Sequence, residues 1–408
     1  MQQMIIKNIR FLMQIDESGR RRVCGEEMKR VSSLEDAYLV IRDGKIAAYG
    51  KMDDYRFDET EYQIIDATGR FVFPAFCDSH THIVYAASRE SEFVDKINGL
   101  SYVEIAERGG GILNSAKRLH DTPEEELCKQ AMCRVRECMG FGTGALEIKS
   151  GYGLSLEDEL KMLRVIRRIK EEAGIAVRST FLAAHAIPAE YKANPDGYVD
   201  LIVKEMIPIV GKEDLADYID VFCDEGFFTV PQTERILEEG AKYGLIPKIH
   251  ANELALSGGI QVGVRHGALS VDHLEHTGDA EIEELLQSET MPALLPGAAF
   301  FLGMNYPPAR KMIDAGLSVA LASDYNPGSS PSGNMKFVMS LAAIKMKMLP
   351  EEILNAVTLN GAYAMGLEKE YGSITVGKKA SVVITKPMPS FAYFMYAYTS
   401  DLVEHVLF

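Results

Sequence analysis

Residues 77–90 read CDSHTHIVYAASRE: two histidines one residue apart follow an apolar run, and an arginine beside a glutamate comes seven residues later. In an extended segment, residues two apart point the same way, so His80 and His82 can offer two imidazoles to one metal ion. A third imidazole from His250 and a carboxylate from Asp324 would complete a set of three nitrogens and one oxygen, with room left for water on zinc or iron. Taken one at a time these residues have ordinary explanations: a core histidine, a helix cap, and a turn aspartate before NPGSSP. Their joint placement argues for chemistry, because each ends a short apolar run of the kind that forms a buried strand.

Such a set needs a scaffold that brings distant strand ends together. From residue 71 onward short apolar runs alternate with helical stretches, as in LEDELKMLRVIRRIKEEAG, where Leu160, Leu163, Val165 and Ile166 make an apolar stripe. Eight runs can be counted: FVFPAFCDS, GALEIKS, RSTFLAAH, IDVFCDEG, IPKIHANE, LSVDHLEH, MPALLPGA and LSVALASD. The alternation predicts an α/β fold, a (β/α)8 TIM-like barrel whose catalytic groups come from the C-terminal strand ends. His80 and His82 then follow the first strand, His185 the third, His250 and Glu253 the fifth, His273 the sixth and Asp324 the eighth. Five of the nine histidines therefore meet on one rim.

The first 70 residues read as strands, with Asp43-Gly44 as a hairpin signal, and the tail GSITVGKKASVVIT returns to that pattern. A small β-sandwich domain built from both termini is expected, from residues 1–70 and 367–408, with the barrel over 71–366.

Composition narrows the partners. A net charge of -16 repels phosphate backbones and anionic lipid, so a small-molecule substrate is expected, with no nucleic acid and no membrane; a homodimer is left open. Six cysteines without a C-x-x-C pair fit reduced thiols and a cytoplasmic location, and Cys128, Cys133 and Cys138, five residues apart, spread around a helix instead of forming a metal site. The longest apolar stretch, MPALLPGAAFFLGM, is too short and too broken to span a bilayer. GFGTGA precedes a strand, RGGGILNSAK lacks the lysine and hydroxyl of a phosphate-binding loop, and H-E-x-x-H is absent, which excludes nucleotide-binding and zinc-peptidase readings.

With these pieces assembled, the sequence resembles the amidohydrolase superfamily through SHTHIVYAASRESEF, YVEIAERGGGI, EIKSGYG, LAAHAIP, KIHANE, SVDHLEH, LLPGAAFFL and LASDYNPGSSP. Within it, SGYG and DYNPGSSP resemble the group that hydrolyses 4-imidazolone-5-propanoate to N-formimidoyl-L-glutamate in histidine degradation. The resemblance implies metal ligation by His80, His82, His250 and Asp324, and a substrate pocket of Arg89, Tyr152, His185, Asn326, Gly328 and Ser329. It implies catalysis with Glu253, His273 and Asp324 as candidate proton carriers, the main base among them being left open. Superfamily members with two metals bridge them with a carbamylated lysine at the fourth strand end, where this chain has VFCDEG, so one zinc or iron ion per chain is expected. Lys149 ends the second strand and is expected to be structural or to stand behind the metal ligands, its exact role being left open. In that role Arg89 would supply a fixed, permanently charged fork for a propionate carboxylate. The alternatives are another mononuclear amidohydrolase, a deaminase or cyclic amidase acting on a small carboxylate-bearing heterocycle, or a barrel that has lost its chemistry.

Overall fold

The structure is a computed structural model that describes residues 3–100 and 110–408. Most of the YVEIAERGGGI motif lies outside the described residues. The N-terminal part forms β1 (Met4–Met13), β2 (Ser33–Arg42), β3 (Lys45–Lys51), β4 (Gln63–Asp66) and β5 (Phe71–Pro74). The β2–β3 hairpin turns at Asp43 and Gly44, both at positive φ (53° and 71°), the backbone that a two-residue hairpin of the primed type requires.

The barrel strands follow: β6 (Phe76–Thr81), β7 (Thr143–Lys149), β8 (Ala176–Ala184), β9 (Tyr218–Cys223), β10 (Ile246–Ala251), β11 (Ser270–His273), β12 (Met291–Leu294) and β13 (Ala320–Leu321). They lie side by side in chain order as an eight-stranded parallel sheet. The circle is nearly closed just past β13, where Asp324 N–H donates to His80 O (3.0 Å) and His82 N–H to Tyr325 O (2.9 Å). Helices cover the outside. The stripe read from the sequence is the buried face of helix Leu156–Glu172, with Leu163, Val165 and Ile166 at 0% exposure and Leu160 half-buried. Ser155 caps that helix by accepting from Asp158 N–H. Helix Glu124–Gly140 carries the three cysteines, Cys128 and Cys138 inward and Cys133 exposed.

The tail returns as β14 (Val382–Thr385) and β15 (Val403–Leu407), completing a seven-stranded sheet in the order β15-β14-β5-β1-β2-β3, with β4 beside β1. Both termini thus build the small domain. Its strands alternate between two apolar clusters: Ile6 and Leu39 pack in one, Ile5 and Val40 in the other, as the period of two requires. The run FVFPAFCDS, read as one strand, is divided between the two sheets. Ala75 N–H donates to Ser381 O (2.9 Å) in the small sheet, and the next residue, Phe76, donates to Gly142 O (2.9 Å) in the barrel. We propose the first domain boundary at Ala75 and not at residue 70, since β5 pairs with β1 and β14. No helix among the described residues is long and apolar enough to cross a membrane.

Candidate active site

The closing seam carries Asp324 against the end of β6. Asp324 Oδ1 lies 3.5 Å from His80 Nε2 and 3.6 Å from His82 Nε2. His82 Nε2 in turn lies 3.1 Å from His80 Nε2 and 3.3 Å from His250 Nε2. A tetrahedral ion with bonds of about 2.0–2.1 Å to nitrogen and oxygen sets its ligand atoms about 3.3 Å apart, so these four spacings are close to what one needs, while His250 and Asp324 fall in different groups around His82. His80 Nδ1 bonds Asp272 Oδ2 (2.6 Å), and His250 Nδ1 lies 3.0 Å from Asp220 Oδ2, near enough for an ion pair though off a straight hydrogen bond. Both carboxylates place the ring proton on Nδ1 and leave the Nε2 lone pair facing His82. One N–H on His82 could serve only one of those lone pairs. Burial also lowers His80 and His82 well below the usual histidine range, into the neutral form that binds a cation. The donor set therefore fits a metal ion, in three overlapping groups: His80, His82 and Asp324; His82, His185 and His250; His80, His250 and His273.

Beneath the histidines lies a charged layer wholly inside the barrel. Lys149, Lys248, Glu147 and Asp272 are at 0% exposure and Asp220 at 1%. Lys149 Nζ donates to Glu147 Oε1 (2.6 Å) and Asp220 Oδ2 (2.8 Å) and stands 3.8 Å from Asp272 Oδ2. Lys248 Nζ pairs with Glu147 Oε2 and donates to Ser79 O (3.0 Å) and Ala364 O (3.3 Å). Burial by itself would lower Lys149, but Asp220, Glu147 and Asp272 raise it. Burial would raise Asp220, and His250 and Lys149 hold it well below the carboxylate range instead; for Asp272 burial exceeds the pull of Lys248 and Lys149.

At the rim, His273 Nε2 faces Glu253 Oε2 and His273 Nδ1 faces Glu275 Oε2, each at 3.7 Å. Burial drives Glu253 up to about 7, helped by Glu275, Asp324 and Asp224 and opposed by His273. Burial would lower His273, but Glu253, Glu275 and Asp324 take it up to about 10. His273, Leu274 and Asp324 hold positive φ (83°, 71° and 53°), unfavourable for side chains with a β-carbon and typical of sites whose surroundings fix the backbone.

Above this floor opens a cavity of about 400 Å³. It is lined by His82, Arg89, Tyr152, His185, His250, Glu253, His273, Asp324, Asn326, Gly328 and Ser329; of the site residues read from the sequence, only His80 lies below it. His185 stacks on His82 (centroids 5.0 Å, planes 13° apart), and its Nδ1 donates to Gly151 O (3.0 Å). Gly151 must be glycine, since φ is +110° and a β-carbon would press on His185 Nδ1. Arg89 donates through Nε (2.8 Å) and Nη2 (2.5 Å) to Glu92 Oε2, while Nη1 faces Gly328, where a β-carbon would collide with it. Asn326 is occupied within its own loop: Oδ1 accepts from Gly328 N–H (2.7 Å) and Ser329 N–H (2.8 Å), and Nδ2 donates to Asp324 O (2.7 Å).

Lys96 also lines the cavity, and the carboxylates of Asp220 and Asp272 stand behind the imidazoles; none of the three is marked out by the sequence motifs. The charged layer did leave a signal. Glu147 with Lys149, and Lys248 with His250, sit two apart, so their charges share the inner face of their strands.

Residues 230–403 match the amidohydrolase family. Two solved structures share the fold: a 5-methylcytosine deaminase from Klebsiella pneumoniae liganded with phosphonocytosine (TM-score 0.74, 17% identity, covering 99% of this chain and 96% of that one), and an adenosine deaminase from Xanthomonas campestris with bound zinc (TM-score 0.71, 16% identity, 99% and 91%). Barrel, closing seam and histidine floor together define a hydrolase of the amidohydrolase superfamily. Over 403 residues the chain is 54% identical to the imidazolonepropionase of Flavobacterium johnsoniae, covering 99% of this chain and 98% of that one. The chain belongs to the imidazolonepropionase family.

Proposed function

We propose that the chain hydrolyses the cyclic amide of 4-imidazolone-5-propanoate to N-formimidoyl-L-glutamate. The observation that carries this reading is one cavity with the overlapping groups His80–His82–Asp324 and His82–His185–His250 at its floor and a guanidinium, Arg89, on its wall. His80, His82, His250 and Asp324 would hold one zinc or iron ion, leaving His185 and His273 to the substrate. Two facts favour a single ion: the fourth barrel strand ends in Cys223 with no lysine beyond it, and Lys149 is fully engaged by carboxylates. A bound ion there supplies Lewis acidity, which acidifies water and polarises a ring carbonyl.

The residues around it divide the remaining work. Water adds to the ring carbonyl carbon, the C–N bond of the lactam breaks, one proton passes to the ring nitrogen, and the new carboxyl group loses another. Glu253 is the proton carrier, because a carboxyl group drawn up to about 7 can both take and return a proton near neutral pH. His273, held protonated up to about 10, is a poor base but a good donor toward the developing oxyanion. Tyr152 and His185 flank the ring, and the loop ordered by Asn326 backs Gly328, Ser329 and Arg89.

The substrate assignment is tested at the carboxylate. Wild type should turn over imidazolone propionate far better than the same ring without its carboxylate, and Arg89→Met should cut kcat/KM for the full substrate by roughly 30-fold or more, the cost of removing one partner of a buried charged contact. Its zinc content should not change. Equal turnover of both rings by wild type would contradict the assignment.

A further inference from the structure

The mechanism leaves Lys149 unused, although it is fully buried at the last position of β7, directly beneath the histidine floor. Its ammonium donates to the Asp220 oxygen that faces His250 and, with Lys248 Nζ at 4.0 Å, stands within ion-pair range of the Asp272 oxygen that faces His80. Asp220 Oδ2 is 2.8 Å from Lys149 Nζ and 3.0 Å from His250 Nδ1. Asp272 Oδ2 is 3.8 Å from Lys149 Nζ and 2.6 Å from His80 Nδ1. One cation on β7 therefore sits behind two carboxylates, on β9 and β11, that turn two rings, on β10 and β6.

The rest of the layer holds Lys149 in place. Glu147 Oε1 accepts from it (2.6 Å) and from Thr180 Oγ1 (2.7 Å), while the other oxygen of Glu147 pairs with Lys248. Ser270 Oγ donates to Asp272 Oδ1 (2.5 Å), and His250 N–H donates to Asp220 Oδ1 (3.1 Å), so the free oxygen of each aspartate is the one aimed at both lysine and imidazole. A flexible or solvated cation would not discriminate between those oxygens. A buried one, anchored at fixed length from its own strand, does.

We infer that Lys149 is a positioning residue for the metal site, fixing Asp220 and Asp272 so that His250 and His80 present their Nε2 lone pairs to the ion. This rests on the reading that His80 and His250 bind metal. Without Lys149, three buried carboxylates would share the single ammonium of Lys248, and Asp220 would lose its direct cation partner. Outer hydrogen-bond partners of metal-binding histidines typically contribute 10- to 100-fold to metal affinity.

The test uses zinc alone, in competition with a chromophoric chelator, on metal-stripped full-length protein at a temperature where thermal melts show each variant folded. Lys149→Met should bind zinc about 10- to 100-fold more weakly than wild type. The double variant Glu147→Gln, Lys149→Met removes one charge of each sign and keeps the layer's net charge; it should regain melting temperature relative to the single variant yet remain weak for zinc, and it carries the test if the single variant aggregates. A merely structural lysine would lower the melting temperature and leave zinc affinity of the folded protein alone. Either folded variant binding zinc within about twofold of wild type overturns the inference. Wild type that binds no zinc or iron overturns instead the metal reading beneath it.

Discussion

Glu253 and His273 form a pair whose environments give them different proton tasks. Glu253→Gln should keep the metal and lower kcat on the order of 10²- to 10⁴-fold, the range for a lost general acid or base. The pH profile follows from the signs. A carboxyl group drawn up to about 7 stays protonated, and unable to accept, until the pH rises through that value, so kcat/KM should fall about tenfold per unit below it. A histidine drawn up to about 10 keeps its donor form until that value, so the decline on the basic side should begin only there. Glu253→Gln should abolish the acid limb, and a wild-type profile flat from about pH 5 to 9 would remove Glu253 from the proton path. The residues named here could be picked out as candidates because five of the nine histidines end apolar runs and so meet on one rim. Asp220 and Asp272 were not: they lie inside apolar-looking strands, and only the pleat, which turns alternate side chains inward, reveals that they stand behind the imidazoles.

Elements, more than residues, decide how tightly the pocket grips. The DYNPGSSP loop is held by the amide of Asn326, and the missing side chain at Gly328 lets Arg89 Nη1 approach. Gly328→Ala should push the guanidinium aside, raising KM with little change in kcat or zinc content; measuring the three together separates a displaced Arg89 from a damaged metal site. An unchanged KM would show that the arginine has room to move. Strand count and order were readable from the sequence because parallel barrel strands are short apolar runs between helices. The break inside FVFPAFCDS was not, because Ala75 and Phe76 differ only in which sheet their N–H groups bond, a matter of tertiary context. The pairing of Arg89 with Glu92 was not legible either, since Glu90 is nearer in sequence and only the start of helix Glu90–Ile97 brings the residue three positions on to the guanidinium.

At the scale of the whole molecule, one barrel closure explains the site. The chain must run from β6 to just past β13 before Asp324 can meet His80 and His82, so the candidate floor exists only when the barrel is nearly complete. The small sheet joins the two ends of the chain, with β14 paired to β5 immediately before β6 begins, which anchors the first barrel strand from behind. Fold class was legible from periodicity; the assignment of one substrate among the many that such barrels process depends on the pocket wall and on family membership. Metal-loaded protein mixed with freshly prepared 4-imidazolone-5-propanoate should consume it with multiple turnovers and release N-formimidoyl-L-glutamate, identified by mass, and chelation should stop the reaction until zinc or iron is returned. No product above the uncatalysed rate from fully loaded, folded protein would contradict the account.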